Sequence, residues 1–186
     1  MVMMANKGSG YGLALRLLDV SEYSVYLDHL LRLDSQARWL RFDHAVDDAA
    51  IQAHCLHLMT RNARVLGAFL DGTLRGAAEL DPSPGPNFPG IELAFSVERP
   101  FQRRGIGSML LAMAMEIVSP EPAIMLCREK NRGMAALALH FGARVVQQGS
   151  DMLFVIETAD HSARNMLKPV ATADDIALHA LIKGYV

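Results

Sequence analysis

Cysteine is scarce in this chain, net charge is small, and no long apolar run is present. The two cysteines, Cys55 and Cys127, are too few for the disulfide framework that staples small secreted domains. A reducing, cytoplasmic setting is therefore expected. A net charge of −2 and a sequence pI near 6.4 provide no basic footprint, which argues against nucleic acid or an anionic membrane as partner. No stretch of about 18 apolar residues is available to span a bilayer, and the first ten residues lack the apolar run of a signal peptide. The start, residues 1–10, is expected to be disordered. Neither an internal repeat nor a low-complexity segment occurs.

What is present is enough for one core. With 186 residues, 51% of them apolar, the chain can bury one sizeable interior and is short for two. One domain is expected over residues 11–158, followed by an extension over 159–186.

The stretch from Gly90 to Gly142 carries the chemistry. Gly90 to Val97 reads as a strand, and Gln102-Arg103-Arg104-Gly105-Ile106-Gly107 as a loop. Ile106, Met109, Leu110, Met113 and Ile117 repeat at helical spacing, and Ser119-Pro120-Glu121-Pro122 stops that helix. A second strand (Ala123 to Arg128) and a helix capped by Asn131 follow. A glycine turn between a strand and a helix N-terminus presents unpaired N–H groups and the positive end of the helix dipole, which is an anion site. A Walker loop is excluded, because Ser108 follows Gly107 and no lysine is near. A dinucleotide fingerprint is excluded as well, because Leu110 stands where its third glycine belongs.

Gln-Arg-Arg-Gly-Ile-Gly after a strand resembles the acyl-CoA pyrophosphate loop of the GNAT N-acetyltransferase superfamily. Glu92-Leu93-Ala94-Phe95-Ser96-Val97 is similar to that superfamily's central strand, and Asn131 through Phe141-Gly142 to its second CoA-side helix. The resemblance implies an α/β fold of α+β type, with a mixed central sheet of about seven strands flanked by helices. It also implies N-acetyl transfer from acetyl-CoA to a small-molecule or peptide amine in a ternary complex. A non-catalytic acyl-CoA-binding module on the same fold is the alternative.

The same resemblance assigns roles. Gln102, Arg103, Arg104, Gly105, Gly107 and Ser108 would bind the pyrophosphate, and backbone groups of Phe95 and Val97 the pantetheine and thioester carbonyl. Asn131 would both cap its helix and contact CoA. Glu92 is the candidate general base, with Glu79 on the preceding strand as rival. Many relatives carry a tyrosine acid four residues before the glycine of this helix; here that place is Ala138, so the acid is unassigned.

The rest of the chain frames this stretch. Tyr11 to Val20 reads as a strand, and Ser21 as the cap of a helix carrying Tyr23, Leu27, Leu30 and Leu31 on one face. A second helical turn runs from Asp34 to Phe42 with Trp39, and a third helix begins at Asp47. His54 and His57 on that helix read as surface or flank histidines, and no metal is expected. Asp71-Gly72 between two apolar runs signals a type I′ hairpin. The proline-rich segment Asp81 to Gly90 is a loop beside the active-site strand that either lines the acceptor site or simply connects two strands. Trp39 reads as a packing residue, with a wall of the acceptor groove as the other reading, and that groove is expected near Trp39, Phe88 and Ser150. Two further strands, Ala143 to Gln148 and Met152 to Thr158, turn at Gly149-Ser150-Asp151. In the extension, Thr172, Asp175 and an apolar stripe from Ala173 to Leu181 predict a short amphipathic helix, packed on the domain or on a second subunit as a homodimer would allow.

Overall fold

The computed structural model describes residues 3–4, 12–82, 90–148 and 151–158. In chain order the strands are β1 (Met3–Met4), β2 (Leu13–Leu17), β3 (Arg64–Leu70), β4 (Thr73–Asp81), β5 (Ile91–Val97), β6 (Ala123–Arg128), β7 (Arg144–Gln148) and β8 (Asp151–Ile156). The helices are α1 (Tyr23–Leu31), α2 (Ser35–Phe42), α3 (Asp48–Thr60), α4 (Ile106–Val118) and α5 (Arg132–His140). They form one mixed sheet in the order β1-β2-β3-β4-β5-β6-β8-β7, antiparallel everywhere except between β5 and β6. The expected seven strands are all present, and β1 adds an eighth at the edge. Met3 and Met4 pair with Leu15 and Ala14. The proline loop at 83–89, Ser150 and the predicted C-terminal helix lie outside the described residues.

Local chemistry sets the ends of these elements. Asp71 and Gly72 both have positive φ, 49° and 77°, as the tight turn between β3 and β4 demands. Asp34, Asp47 and Asn131 cap α2, α3 and α5, accepting from the amides of Ala37, Ala50 and Met134. Ser21 does not cap α1. Asp19 instead opens a short 3-10 turn over Val20–Glu22, in which its side chain accepts from Ser21 and Glu22 accepts from Asp19 in return. Glu22 fills this role because it stands three residues on, and Arg16 holds it at 2.6 Å.

Each sheet face carries its own core. Leu66, Ala78, Leu80 and Leu93 pack with Ile106, Leu110, Leu111 and Ala138 from α4 and α5. On the opposite face Val65, Leu74 and Ala77 pack with Tyr26, Leu30, Ile51 and Leu58 from α1 and α3. This second face also carries the charges, since Glu79, Asp81, Glu92 and Ser96 share the parity of Ala77 across β4 and β5.

Candidate active site

The sheet opens between β5 and β6. Pairing there is limited to Ile91↔Ala123 and Glu92↔Ile124, although β5 stays paired with β4 as far as Val97↔Gly76. The amide of Ile91 donates to the Pro122 carbonyl at 2.9 Å, so odd-numbered residues of β5 turn their backbone groups toward β6. Beyond Glu92 these are Leu93, Phe95 and Val97, with no strand to receive them. The Val97 carbonyl accepts from the Gln102 side chain at 2.9 Å, leaving the Phe95 groups and the Val97 amide facing the opening.

At the end of β5 the chain passes through a 3-10 turn, Arg99–Phe101, into the Arg/Gly loop. Gly105, at φ 80°, is the N-cap of α4 and supplies no side-chain acceptor. The first amides of α4, from Ile106, Gly107 and Ser108, therefore lack intrahelical partners and sit at the positive end of the helix. Arg103, also at positive φ, and Arg104 are both exposed, and the Arg104 guanidinium lies 5.5 Å from the Phe101 ring centre. Glycine, free amides and two guanidinium groups with no ion-pair partner among the described residues suit a polyphosphate. Gln102 is the exception among the loop residues, since its amide braces β5.

Asn131 is committed elsewhere too. Its Oδ1 caps α5 and its Nδ2 donates to the Leu40 carbonyl of α2 at 3.2 Å. Beside it, Arg128 Nε donates to Asp43 Oδ2 at 2.7 Å. Asp43 is the left-handed C-cap of α2. These two contacts clasp the end of α2 to the loop between β6 and α5, so α2 spans the opening on the charged face. Trp39 is half-buried on this helix.

The two candidate bases differ sharply. Glu92 is half-buried and has no hydrogen-bond or ion-pair partner among the described residues, with Asp81 directly across the strand pair. Burial pushes its carboxyl up; Arg41 pulls it down, Asp81 and Glu79 add to the rise, and the net shift is upward. Asp81 itself pairs with Arg61 at 2.7 Å. Glu79, the rival, is buried and multiply partnered. Tyr26 donates to its Oε1, Arg41 reaches the same oxygen at 2.5 Å and His54 Nε2 at 2.7 Å. Burial alone would raise its carboxyl, but Arg41, His54 and Tyr26 together hold it well below the usual carboxylate range. His54 is thus no surface histidine, whereas His57 is exposed.

A second polar cluster fixes the far end of β5. Glu98 receives Arg32 at 2.8 Å, Arg75 at 2.9 Å and His29 at 3.3 Å, and His29 also meets the Ser96 hydroxyl at 2.9 Å. Sequence reasoning missed Tyr26, Arg41, His29 and Glu98. Tyr26 and His29 are buried on α1, off the stripe read from Tyr23, Leu27, Leu30 and Leu31, and carried no local sign of a polar partner.

Ala138, in the place of the missing tyrosine, has no exposed surface and is the buried residue of α5 in the core. Among the described residues, no three His, Cys, Asp or Glu side chains converge as a metal site. Likewise no helix among them is long and apolar enough to cross a membrane.

Comparison with known proteins gives a consistent picture. The model of the acetyltransferase (GNAT) family matches residues 26–143. No curated protein sequence matches the chain. Among solved structures, the GNAT domain of S. lividans PAT superposes with a TM-score of 0.62 at 16% identity, covering 78% of this chain and 90% of that one. The PaiA N-acetyltransferase from Thermoplasma acidophilum, in complex with coenzyme A, gives 0.58 at 19% identity over 78% of this chain and 99% of its own. YncA from Salmonella typhimurium, with its cofactor acetyl-CoA, gives 0.58 at 17% identity over 83% and 98%.

Proposed function

The chain belongs to the GNAT family of acetyltransferases, and from that premise we propose that it transfers an acetyl group from acetyl-CoA to an amine by direct attack in a ternary complex. The observation that carries this reading is the opening of the sheet after Glu92↔Ile124, continuous with the uncapped N-terminus of α4. Acetyl-CoA, when bound, supplies an activated acetyl thioester. The amides of Ile106 to Ser108 and the guanidinium groups of Arg103 and Arg104 would hold its pyrophosphate. Backbone groups of Phe95 and Val97 would bind the pantetheine and polarise the thioester carbonyl.

On the other face, an ammonium has no lone pair and must lose a proton before it can attack. Glu92 takes that proton: its carboxylate has no partner among the described residues, its burial raises its basicity, and its neighbours Asp81 and Glu79 favour a cation. No side chain is assigned as the acid. The free, buried Cys55 and Cys127 fit a reducing cytoplasm.

The test is thiol release from acetyl-CoA with a panel of small amines and peptide N-terminal amines. Turnover above the hydrolysis background supports transfer. Tight CoA binding with no turnover on any amine would replace it with the acyl-CoA-binding module, the reading that Ala138 favours.

A further inference from the structure

Three side chains at the far end of β5 are joined in series. The Ser96 hydroxyl lies 2.9 Å from His29 Nε2, and His29 Nδ1 lies 3.3 Å from Glu98 Oε1. Ser96 belongs to β5, His29 to α1, and Glu98 follows the last residue of β5. All three are buried.

The charges around Glu98 decide which way the protons point. Arg32 Nε and Arg75 both donate to its carboxylate, at 2.8 and 2.9 Å, so it stays ionised and only accepts. A neutral His29 facing it carries its proton on Nδ1, and Nε2 is left to accept from the Ser96 hydroxyl. Burial holds the imidazole below its usual pKa, against the pull of Glu98, so the ring rests neutral. A hydroxyl bonded to a base that a third group orients is the arrangement that activates a serine.

The sheet gives this hydroxyl a target. Ser96 stands between Phe95 and Val97, beyond Glu92↔Ile124, where β5 has no neighbour on its β6 side. The Val97 amide faces the opening, whereas the Val97 carbonyl is taken by Gln102. An N–H on the residue after a nucleophilic serine is well placed to receive the oxyanion that forms when the serine attacks. Ser96 keeps 7% of its surface and His29 none, the order required if the hydroxyl is what meets a ligand.

We propose that Ser96 is a nucleophile, with His29 as its base and Glu98 as the positioning residue, and that it takes the acetyl group of acetyl-CoA when no amine is in place and passes it to water. The proposal rests on reading the opening as the acetyl-CoA site; it does not depend on Glu92 or on amine transfer. As Ser96 Oγ bonds to the thioester carbon, its proton moves to His29 Nε2, and the oxyanion meets the Val97 amide. The C–S bond then breaks, the proton on Nε2 goes to the departing sulfur, and Ser96 is left as an acetyl ester. Water next gives a proton to Nε2 and attacks the ester; the C–Oγ bond breaks, Oγ recovers the proton, and acetate leaves. Glu98 faces the imidazolium in both halves and never carries the proton.

The full chain with acetyl-CoA and no amine tests this. Thiol should be released, and Ser96→Ala should slow that release by about 10²-fold or more, with CoA affinity by calorimetry unchanged. Peptide mass spectrometry of acid-quenched wild type should find one acetyl group on Ser96, a readout that needs no variant to fold and that a packing serine would not give. Glu98→Gln should lower the maximal rate by about tenfold or more with KM for acetyl-CoA unchanged. Equal thiol release from Ser96→Ala and wild type overturns the proposal, and so does quenched wild type with no acetyl on Ser96. Failure of CoA to bind at all would overturn the donor-site reading along with it, whereas bound CoA without Ser96-dependent release overturns this proposal alone and leaves amine transfer standing.

Discussion

Glu92 and Ile124 form the last pair that joins β5 to β6, and the same residue that closes the sheet carries a carboxylate with no partner among the described residues. The base candidate therefore stands at the root of the opening. Backbone groups further along β5 face its widening part. In the proposed reaction, donor and acceptor chemistry is divided between main chain and side chain of one strand, and each half can be tested separately.

The donor half is tested at Arg104. Reversal to glutamate places like charge beside the bound pyrophosphate and removes a charge-assisted donor worth roughly 1.5–3 kcal/mol. Affinity for CoA, read by titration calorimetry, should fall about tenfold or more. An unchanged affinity with the fold intact removes the phosphate role of this loop.

Gly105 tests the loop's conformation independently of its charge. A methyl group added there meets nothing within 4 Å, but φ is +80°, so Gly105→Ala should cost only backbone strain, about 1–2 kcal/mol. The melting temperature should drop by about 2–4 °C per kcal/mol, accompanied by weaker CoA binding. Full stability in the variant would mean that Gly105 does not hold this conformation.

For the acceptor half, Glu92→Gln preserves shape and removes the base. Its turnover should fall by ~10²-fold near neutral pH and recover in part at high pH, where free amine is abundant. Because burial raises the Glu92 carboxyl, the wild-type rate should already decline as pH drops through that raised value, and the variant should lack this limb. Equal turnover for wild type and variant across the whole range assigns the proton to water.

Ala138→Tyr should not behave as a repair. The residue has no exposed surface, so a phenol ring must displace core neighbours at a cost of about 1–3 kcal/mol. Denaturant melts should show the loss, and thiol release should show no gain. A stable variant with faster turnover would reveal that the opening reaches Ala138 after all.

Acid should loosen the far end of β5. Burial acting alone would raise Glu98, but His29, Arg32 and Arg75 outweigh it and hold the carboxyl at about 2, against an ordinary 4.5. A depressed carboxylate stabilises the fold fully above its unfolded value and loses that contribution as pH falls toward the folded one. Stability should thus decline between about pH 4.5 and 2, and Glu98→Gln should flatten that decline in urea titrations. An equally steep decline in Glu98→Gln would place the acid sensitivity elsewhere.

What the sequence revealed was local. Asp71-Gly72 announced its hairpin, Asp34, Asp47 and Asn131 announced their helices, and the block from Gly90 to Gly142 carried its own order of strand, loop and helix. What it concealed depends on residues distant along the chain. Tyr26 and Glu79 are 53 positions apart, and His54 and Glu79 are 25 apart; no periodicity links them. His54 read as peripheral because a polar residue on an amphipathic helix usually faces water, and only the fold shows a buried carboxylate beneath it. Ser21 lost the cap to Asp19 because a carboxylate with a reciprocal partner three residues on satisfies two amides instead of one.

The clasp between Asp43 and Arg128, with Leu40 and Asn131 beside it, determines how this enzyme can be re-engineered. One end of α2 is fastened to the donor side by residues 85 and 91 positions away. An α2 borrowed from a relative to change the preferred amine would arrive without its anchor unless residues 128–131 came with it. The exchangeable cassette is a discontinuous one: the end of one helix and the turn it grips.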